Sequence, residues 1–389
     1  MEMKVVIAPD SFKGSMTAIE AASAIEEGVK RAHPGIKTVS MPMADGGEGT
    51  MTCLVQTTGG HYEEVSVNGP LGNTVNATFG CLGHSSTCVI EMAEASGIAL
   101  VDKSNLNPME ASTYGTGQLI KEALDQGYRH FILAIGGSAT NDGGTGMLHA
   151  LGMTFYDSTG SEITPAGKKL IDIKEIDVSD FDPRIQESTF LIASDVQNPL
   201  LGPTGATHVF GPQKGATPVM VKELEKGMEN WADRVYEQTG IHLHDHPGAG
   251  AGAAGGIGGA FLAFFPAKME RGIDVVIEAT QFKASLESAI LVLTGEGQVD
   301  YQTASGKTPM GVAQAAKEKR VPTIVFAGSV GEGIESLYEF GVKSVHSIVD
   351  GPMTLDEAIG RASELLTKRA EQVMRTFLVS VVDGIEKVY

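Results

Sequence analysis

Cysteine is scarce: Cys53, Cys81 and Cys88 are the only three in 389 residues, and no two of them show a C-x-x-C spacing. That excludes a disulfide framework and fits reduced thiols in a reducing compartment. Basic residues are also few, 29 Lys and Arg against 48 Asp and Glu, for a net charge of −19. Such a surface repels nucleic acid and anionic membranes, although a local basic pocket can still hold a small anion. Long apolar runs are missing as well. The longest, around 260–267, is too short to span a bilayer, and the opening MEMKVVIAPD passes straight into a strand without the cationic-then-apolar pattern of a secretion signal. The expectation is a soluble cytoplasmic protein, monomer or homodimer, with a small-molecule ligand and neither nucleic acid nor membrane as partner.

What the chain has in excess is glycine. The 49 glycines are roughly one residue in eight against a usual one in fourteen, and they gather in loops where backbone must approach something closely. An apolar content of 42% with 20% charged residues is that of a globular protein, and the length suits two domains.

Both ends of the chain alternate strand and helix. Residues 4–8 read as a buried strand, 9–15 as a loop, and Thr17 with Glu20 as a capping box for a helix whose Ala18, Ala22, Ile25 and Val29 share one face. A second such unit places Asp45 and Glu48 in the loop 44–50. From His61 the period changes to two, with turns at 68–70 and 83–85, so an antiparallel meander is expected. The strand–helix rhythm returns after about 285. The architecture this predicts is α/β: a doubly wound parallel-sheet domain from residues 1–60 and 285–389, with an inserted α+β domain, 61–284, and the site in the cleft between them.

The stretch 294–313, TGEGQVDYQTASGKTPMGVA, packs two carboxylates, two amides, a lysine and four glycines between a short apolar strand, 289–293, and a helix for which Thr308 can cap and Pro309 suits the first position. Loops at the carboxyl ends of parallel strands, leading into helix N-termini, are where open α/β sheets bind anions. A P-loop is excluded, because its first glycine falls on Tyr301. Glu296 and Asp300 can hold Mg²⁺, which favours one or two carboxylates plus substrate phosphates, and Lys307 can neutralise phosphate charge. Asp10 with Lys13, and Asp45 with Glu48, sit in equivalent loops; each alone reads equally as a helix cap or salt bridge. Asp142 and Asp195 follow strong strands of the middle domain and are flanked by Gly or Pro, so loop chemistry alone could account for them. The glycine run at 248–259 is either close helix packing or a phosphate cradle, and it lacks a dinucleotide fingerprint. His242, His244 and His246 alternate with zinc-like spacing, but an exposed face accounts for them and no cysteine is near.

Six long motifs in order carry more. APDSFKGS at 8–15, PMADGGEGT at 42–50, GGSATNDGG at 136–144, SDVQNPLLG at 194–202, an interrupted PGAGAAGG at 247–256 and TGEGQVDYQTASGKTP at 294–309 make the chain resemble the bacterial glycerate kinases of the glyoxylate and glucarate catabolic type, from first strand to last helix. The resemblance implies transfer of the ATP γ-phosphoryl group to D-glycerate at the 2-hydroxyl, with Mg²⁺. The site taken from these loops has Lys13, Asp45, Asp195 and Lys307 as catalytic residues. Ser138, Asn141, Asp142, Gly252, Gly255 and Gly256 are assigned to the nucleotide, and Glu296 and Asp300 to the metal. Either Lys13 or Lys307 can take the glycerate carboxylate. The rival readings are the 3-hydroxyl as acceptor, a nicotinamide-dependent hydroxy-acid oxidoreductase, and a non-catalytic metabolite binder.

Overall fold

The computed structural model describes residues 3–244 and 250–386; of Ser305 and residues 380–386 the backbone alone is described. The chain folds into two compact units, one from the residues up to Asp45 together with those from Ile273 on, the other from Gly46 to Gly272.

The first unit opens with two parallel strands, β1 (Lys4–Ile7) and β2 (Lys37–Ser40), joined by the helix Ala18–Ala32. The expected capping box starts that helix: Thr17 Oγ1 accepts from the Glu20 amide, and the Glu20 carboxylate accepts from the Thr17 amide at 2.8 Å.

The chain then builds the second unit. β3 (His61–Asn68), β4 (Thr74–Cys81) and β5 (Thr87–Glu91) form the antiparallel meander. β6 (His130–Ala134) lies parallel to β5, while β7 (Thr154–Tyr156) and β8 (Glu175–Asp177) pair with each other in a separate ribbon. β9 (Thr189–Ala193) and β10 (Ala267–Glu270) continue the parallel run, giving a sheet in the order β10-β9-β6-β5-β4-β3. The period-two signal thus marks one edge of a mixed sheet. The other strands are buried apolar runs such as FILA in β6, which is what parallel strands covered on both faces require. The unit begins at 46, earlier than the 61 expected from the change of period, because the helix Thr50–Thr58 packs on the meander: Met51 and Val55 close over Gly80 of β4.

Back in the first unit, β11 (Ala289–Val299), β12 (Thr323–Val330) and β13 (Val342–Ser347) complete an all-parallel sheet in the order β13-β12-β11-β1-β2. Counted within the unit this is the doubly wound order 5-4-3-1-2, whose switch point lies between β1 and β11. Val5, Ile7, Leu291, Leu293 and Phe326 pack on one face against the helices Ala18–Ala32 and Ala362–Glu386. Val325, Ala327 and Val299 face the other way, against Met310 and Ala313 of the helix Thr308–Glu318. Helices therefore cover both faces. No helix among the described residues is long and apolar enough to cross a membrane.

Candidate active site

The carboxyl ends of β1 and β11 meet at the switch point of the first unit. The Asp10 amide donates to the Gly295 carbonyl at 2.8 Å, which holds the loop after β1 beside β11. β11 is longer than expected. It pairs with β12 as far as Val299 opposite Val330, so Glu296 is a strand residue and the loop begins only at Asp300. Gly295 and Gly297, read as loop signals, are instead small residues in a crowded strand. A Cβ at 297 would lie 3.2 Å from the Lys13 amide nitrogen, so glycine lets the loop after β1 lie across β11.

This packing assembles an acidic cluster in which Lys307 acts against the carboxylates. Burial pushes the Glu296 carboxyl up to about 7, a hydrogen bond from Thr303 and the charge of Lys307 act against that, and Asp10 and Asp45 push it further up. Burial likewise raises Asp10 to about 6, with Asp45 adding to it, while Thr308 and Ser11 hydrogen bonds oppose it. Thr303 Oγ1 donates to Glu296 Oε1 at 2.7 Å, and Thr308 Oγ1 donates to Asp10 Oδ2 at 2.5 Å. Thr308 therefore does not cap its helix. Lys307 occupies the N-cap position, with Pro309 in the first turn, and the Thr308 hydroxyl serves Asp10 instead.

Of the residues expected in this unit, Asp45, Glu296 and Lys307 share one electrostatic field, with Asp10 as a fourth member. Lys13 is exposed, and its amine has no partner among the described residues. Asp300 is set apart: its carboxylate accepts from the Gln302 amide at 2.8 Å and from Gln298 Nε2 at 2.9 Å, an Asx-type turn. Glu296 and Asp300 are tied through Thr303, whose hydroxyl oxygen also accepts from the Asp300 amide, but the acidic neighbours of Glu296 are Asp10 and Asp45. Among the described residues no three His, Cys, Asp or Glu side chains could hold a metal ion by themselves. The oxygen donors of Asp10, Asp45 and Glu296 do suit the other mode open to a hard dication, one or two carboxylates completed by phosphate oxygens and water.

In the second unit Asp195 is exposed just past the end of β9, and its Oδ1 accepts from the Gly272 amide at 3.0 Å. The residues expected to meet the nucleotide lie inside. Ser138 is 7% exposed, and Asn141 and Asp142 are fully buried. Asp142 accepts from the Thr113 amide and hydroxyl and from the amides of Gly144 and Gly146, so its carboxylate folds the loop rather than facing a ligand. Asn141 donates to Thr207 Oγ1. Gly252, Gly255 and Gly256 are buried too. A Cβ at 255 would sit 2.1 Å from the Thr140 carbonyl oxygen, and one at 252 would sit 2.1 Å from that of Pro199. Close packing of three chain segments, the plainer of the two readings of this run, accounts for these glycines. In the loop after β6 only Gly137 is exposed; Gly136 is half-buried, close to Gly47. Of the alternating histidines, His242 stacks on Tyr236 and His244 lies 3.4 Å from Asp233; His246 falls outside the described residues, as do 247–249 of the glycine run.

Two buried ionisable groups of this unit carried no signal in the sequence. Glu91 accepts from the Met51 amide at the start of the helix Thr50–Thr58, and burial raises its carboxyl to about 7. Lys214 is 1% exposed. No motif or spacing marks either of them; only the tertiary fold buries them.

A doubly wound sheet with carboxylates and a lysine gathered at its switch point is the arrangement in which open α/β proteins bind small ligands. The chain is a phosphotransferase that belongs to the glycerate kinase family, whose model matches residues 5–378. It is 48% identical to a glycerate kinase of Bacillus subtilis over 95% of this chain and 97% of that one. It is 41% identical to a protein of Escherichia coli named glycerate 2-kinase, over 97% and 99% of the two chains. A crystal structure described as a glycerate kinase 2 from Salmonella typhimurium LT2 superposes with a TM-score of 0.88 at 42% identity, covering 98% of this chain and 99% of the other.

Proposed function

We propose that the protein transfers the γ-phosphoryl group of ATP to the 2-hydroxyl of D-glycerate. The observation that carries this is the grouping of Asp10, Asp45, Glu296 and Lys307 at the carboxyl ends of β1 and β11. Phosphoryl transfer needs positioning and charge neutralisation rather than a covalent nucleophile, and those are the groups present. Similarity along the whole chain to proteins named glycerate kinase supports the acceptor, and the relative named glycerate 2-kinase supports the 2-position.

In this reading Glu296, whose carboxyl titrates near neutrality, accepts the proton of the attacking hydroxyl. The new O–P bond forms as the bond from the γ-phosphorus to the bridging oxygen breaks, and ADP leaves with that electron pair. Lys307, at the N-cap of the helix Thr308–Glu318, faces the charge that builds on the transferred group. Exposed Lys13 takes the glycerate carboxylate. Asp10 and Asp45 are the residues that would hold Mg²⁺, which neutralises phosphate charge when bound; Asp300, occupied in its own turn, leaves that role to them. Asp195 stays a catalytic candidate on its motif and its exposure. Three free cysteines fit a cytoplasmic setting.

A coupled ADP-release assay tests the reading. ADP is expected to appear only with ATP, Mg²⁺ and D-glycerate together, and D-glycerate with NAD or NADP is expected to leave the reduced-nicotinamide absorbance flat. Reduction of either nucleotide would establish the oxidoreductase instead, and glycerate binding without ADP would leave a binding protein.

A further inference from the structure

Lys214 closes a short 3₁₀ turn, Pro212–Lys214, and its side chain runs inward until the amine is fully enclosed. Nζ donates to Ser138 Oγ and to the Thr140 carbonyl, each at 2.7 Å. Asp142 is the charged group that acts on it, and burial lowers the amine to about 7. A lysine is the wrong residue for this place if filling space is the purpose, since Met or Leu would pack without desolvating an amine. What lysine adds is a pair of N–H donors at the end of a long stem. Both are used, on two points of the loop that follows β6, and a neutral amine has enough N–H groups for both.

The same loop is fastened elsewhere. The Ile98 amide donates to the Gly137 carbonyl, the Ala139 amide to the Ser96 carbonyl, and the Gly143 amide to the Gly255 carbonyl. Asp142 gathers four more donors from Thr113, Gly144 and Gly146. Together these ties leave Gly137 exposed and Gly136 half-buried beside it, and Lys214 is the tie placed behind them. Gly136 and Gly137 have no side chain to fix their own course, so their geometry rests on such neighbours.

We propose that Lys214 is a positioning residue for phosphoryl transfer: it holds Ser138 and Thr140 from the interior so that the Gly136–Gly137 backbone keeps the shape that receives the phosphates of the donor nucleotide. This rests on the kinase reading above and on the loop after β6 serving the nucleotide rather than the acceptor.

The test uses the full-length protein with Lys214→Met, which keeps the stem and removes the donors, and Ser138→Ala, which removes one acceptor from the other side. Melting temperature, kcat, KM for ATP and KM for D-glycerate are measured on each. Lys214→Met removes a desolvated amine but leaves Ser138 Oγ and the Thr140 carbonyl without their donor, so the two effects oppose and its melting temperature is expected to stay close to that of the wild type. Its KM for ATP is expected to rise at least 10-fold while KM for D-glycerate stays within about 2-fold, and Ser138→Ala should show the same split at smaller size. A merely structural role would change the fraction of active protein and move neither KM. Unchanged KM for ATP in both variants overturns the proposal, and so does a rise confined to D-glycerate, which would assign the loop to the acceptor. Should Lys214→Met fail to fold, Ser138→Ala decides alone by the same split. A wild-type protein that releases no ADP would instead remove the kinase reading itself, an outcome separate from either.

Discussion

Glu296→Gln is expected to lower kcat by about 10²- to 10³-fold, the usual contribution of a positioned general base, while raising thermal stability above neutral pH. Both effects come from one fact, that the fold holds a carboxyl at about 7 which ordinarily titrates at 4.5. The sign follows from proton binding. Between those values the folded state holds a proton that the unfolded state has released, so Glu296 favours the folded protein below about 4.5, and that contribution is lost as pH rises to about 7. At pH 8 the ionised, buried carboxylate is a net cost, on the order of 3 kcal/mol, which the amide removes. A gain of a few degrees in melting temperature is the expected size for a chain of this length. The rate carries the same titration in the opposite sense. Wild-type kcat/KM, which reports groups of the free enzyme, should fall as pH drops through about 7, and that limb should be absent from the residual activity of Glu296→Gln. Melting curves and rates between pH 5 and 9 check both halves; a variant with wild-type turnover and wild-type stability would mean that Glu296 is neither the base nor a strained group.

Lys307→Ala is expected to cost kcat about 10²-fold or more, equivalent to roughly 3 kcal/mol of transition-state stabilisation for one lost charge contact in an enclosed site. Lys307 is the cation that holds the Glu296 carboxyl down against burial and against Asp10 and Asp45, so its loss should also move the acid limb of the rate profile to higher pH. Lys307→Arg should restore part of the rate, since the charge returns with a different reach and donor geometry. If the amine served only to hold the acceptor, the loss would fall on KM for D-glycerate with kcat intact. Near-wild-type turnover in a folded Lys307→Ala protein would take the residue out of the site.

The sequence was most legible where chemistry and structure are local. The Thr17–Glu20 box, the meander from His61 and the strand–helix rhythm at both ends follow from spacing within a few residues, and the parallel sheet of the first unit follows from the rhythm. It was least legible where distant segments meet. The bond from Thr308 to Asp10 spans 298 positions, and no local pattern could show that this hydroxyl leaves its helix cap to serve a carboxylate on the loop after β1. Gly295 and Gly297 look like loop residues because glycine usually is; in β11 the Phe326 carbonyl leaves no room for a Cβ at 295, and the loop after β1 crowds one at 297. Asp142 looked like a loop ligand because its motif is rich in glycine and hydroxyl groups, yet its four donors and full burial make it the internal brace of that loop. Lys214 is the extreme case, one lysine among ordinary surface residues in GPQKGATP until the fold closes over it.

Proton-coupled phosphorus NMR of the product formed from ATP, Mg²⁺ and D-glycerate tests the proposed reaction most directly. Transfer to the 2-hydroxyl predicts one new phosphomonoester signal, equal in amount to the ADP formed and split into a doublet by the single proton on C2. A triplet from the two protons on C3 would contradict the acceptor position, and ADP with inorganic phosphate but no phosphomonoester would contradict transfer to glycerate altogether.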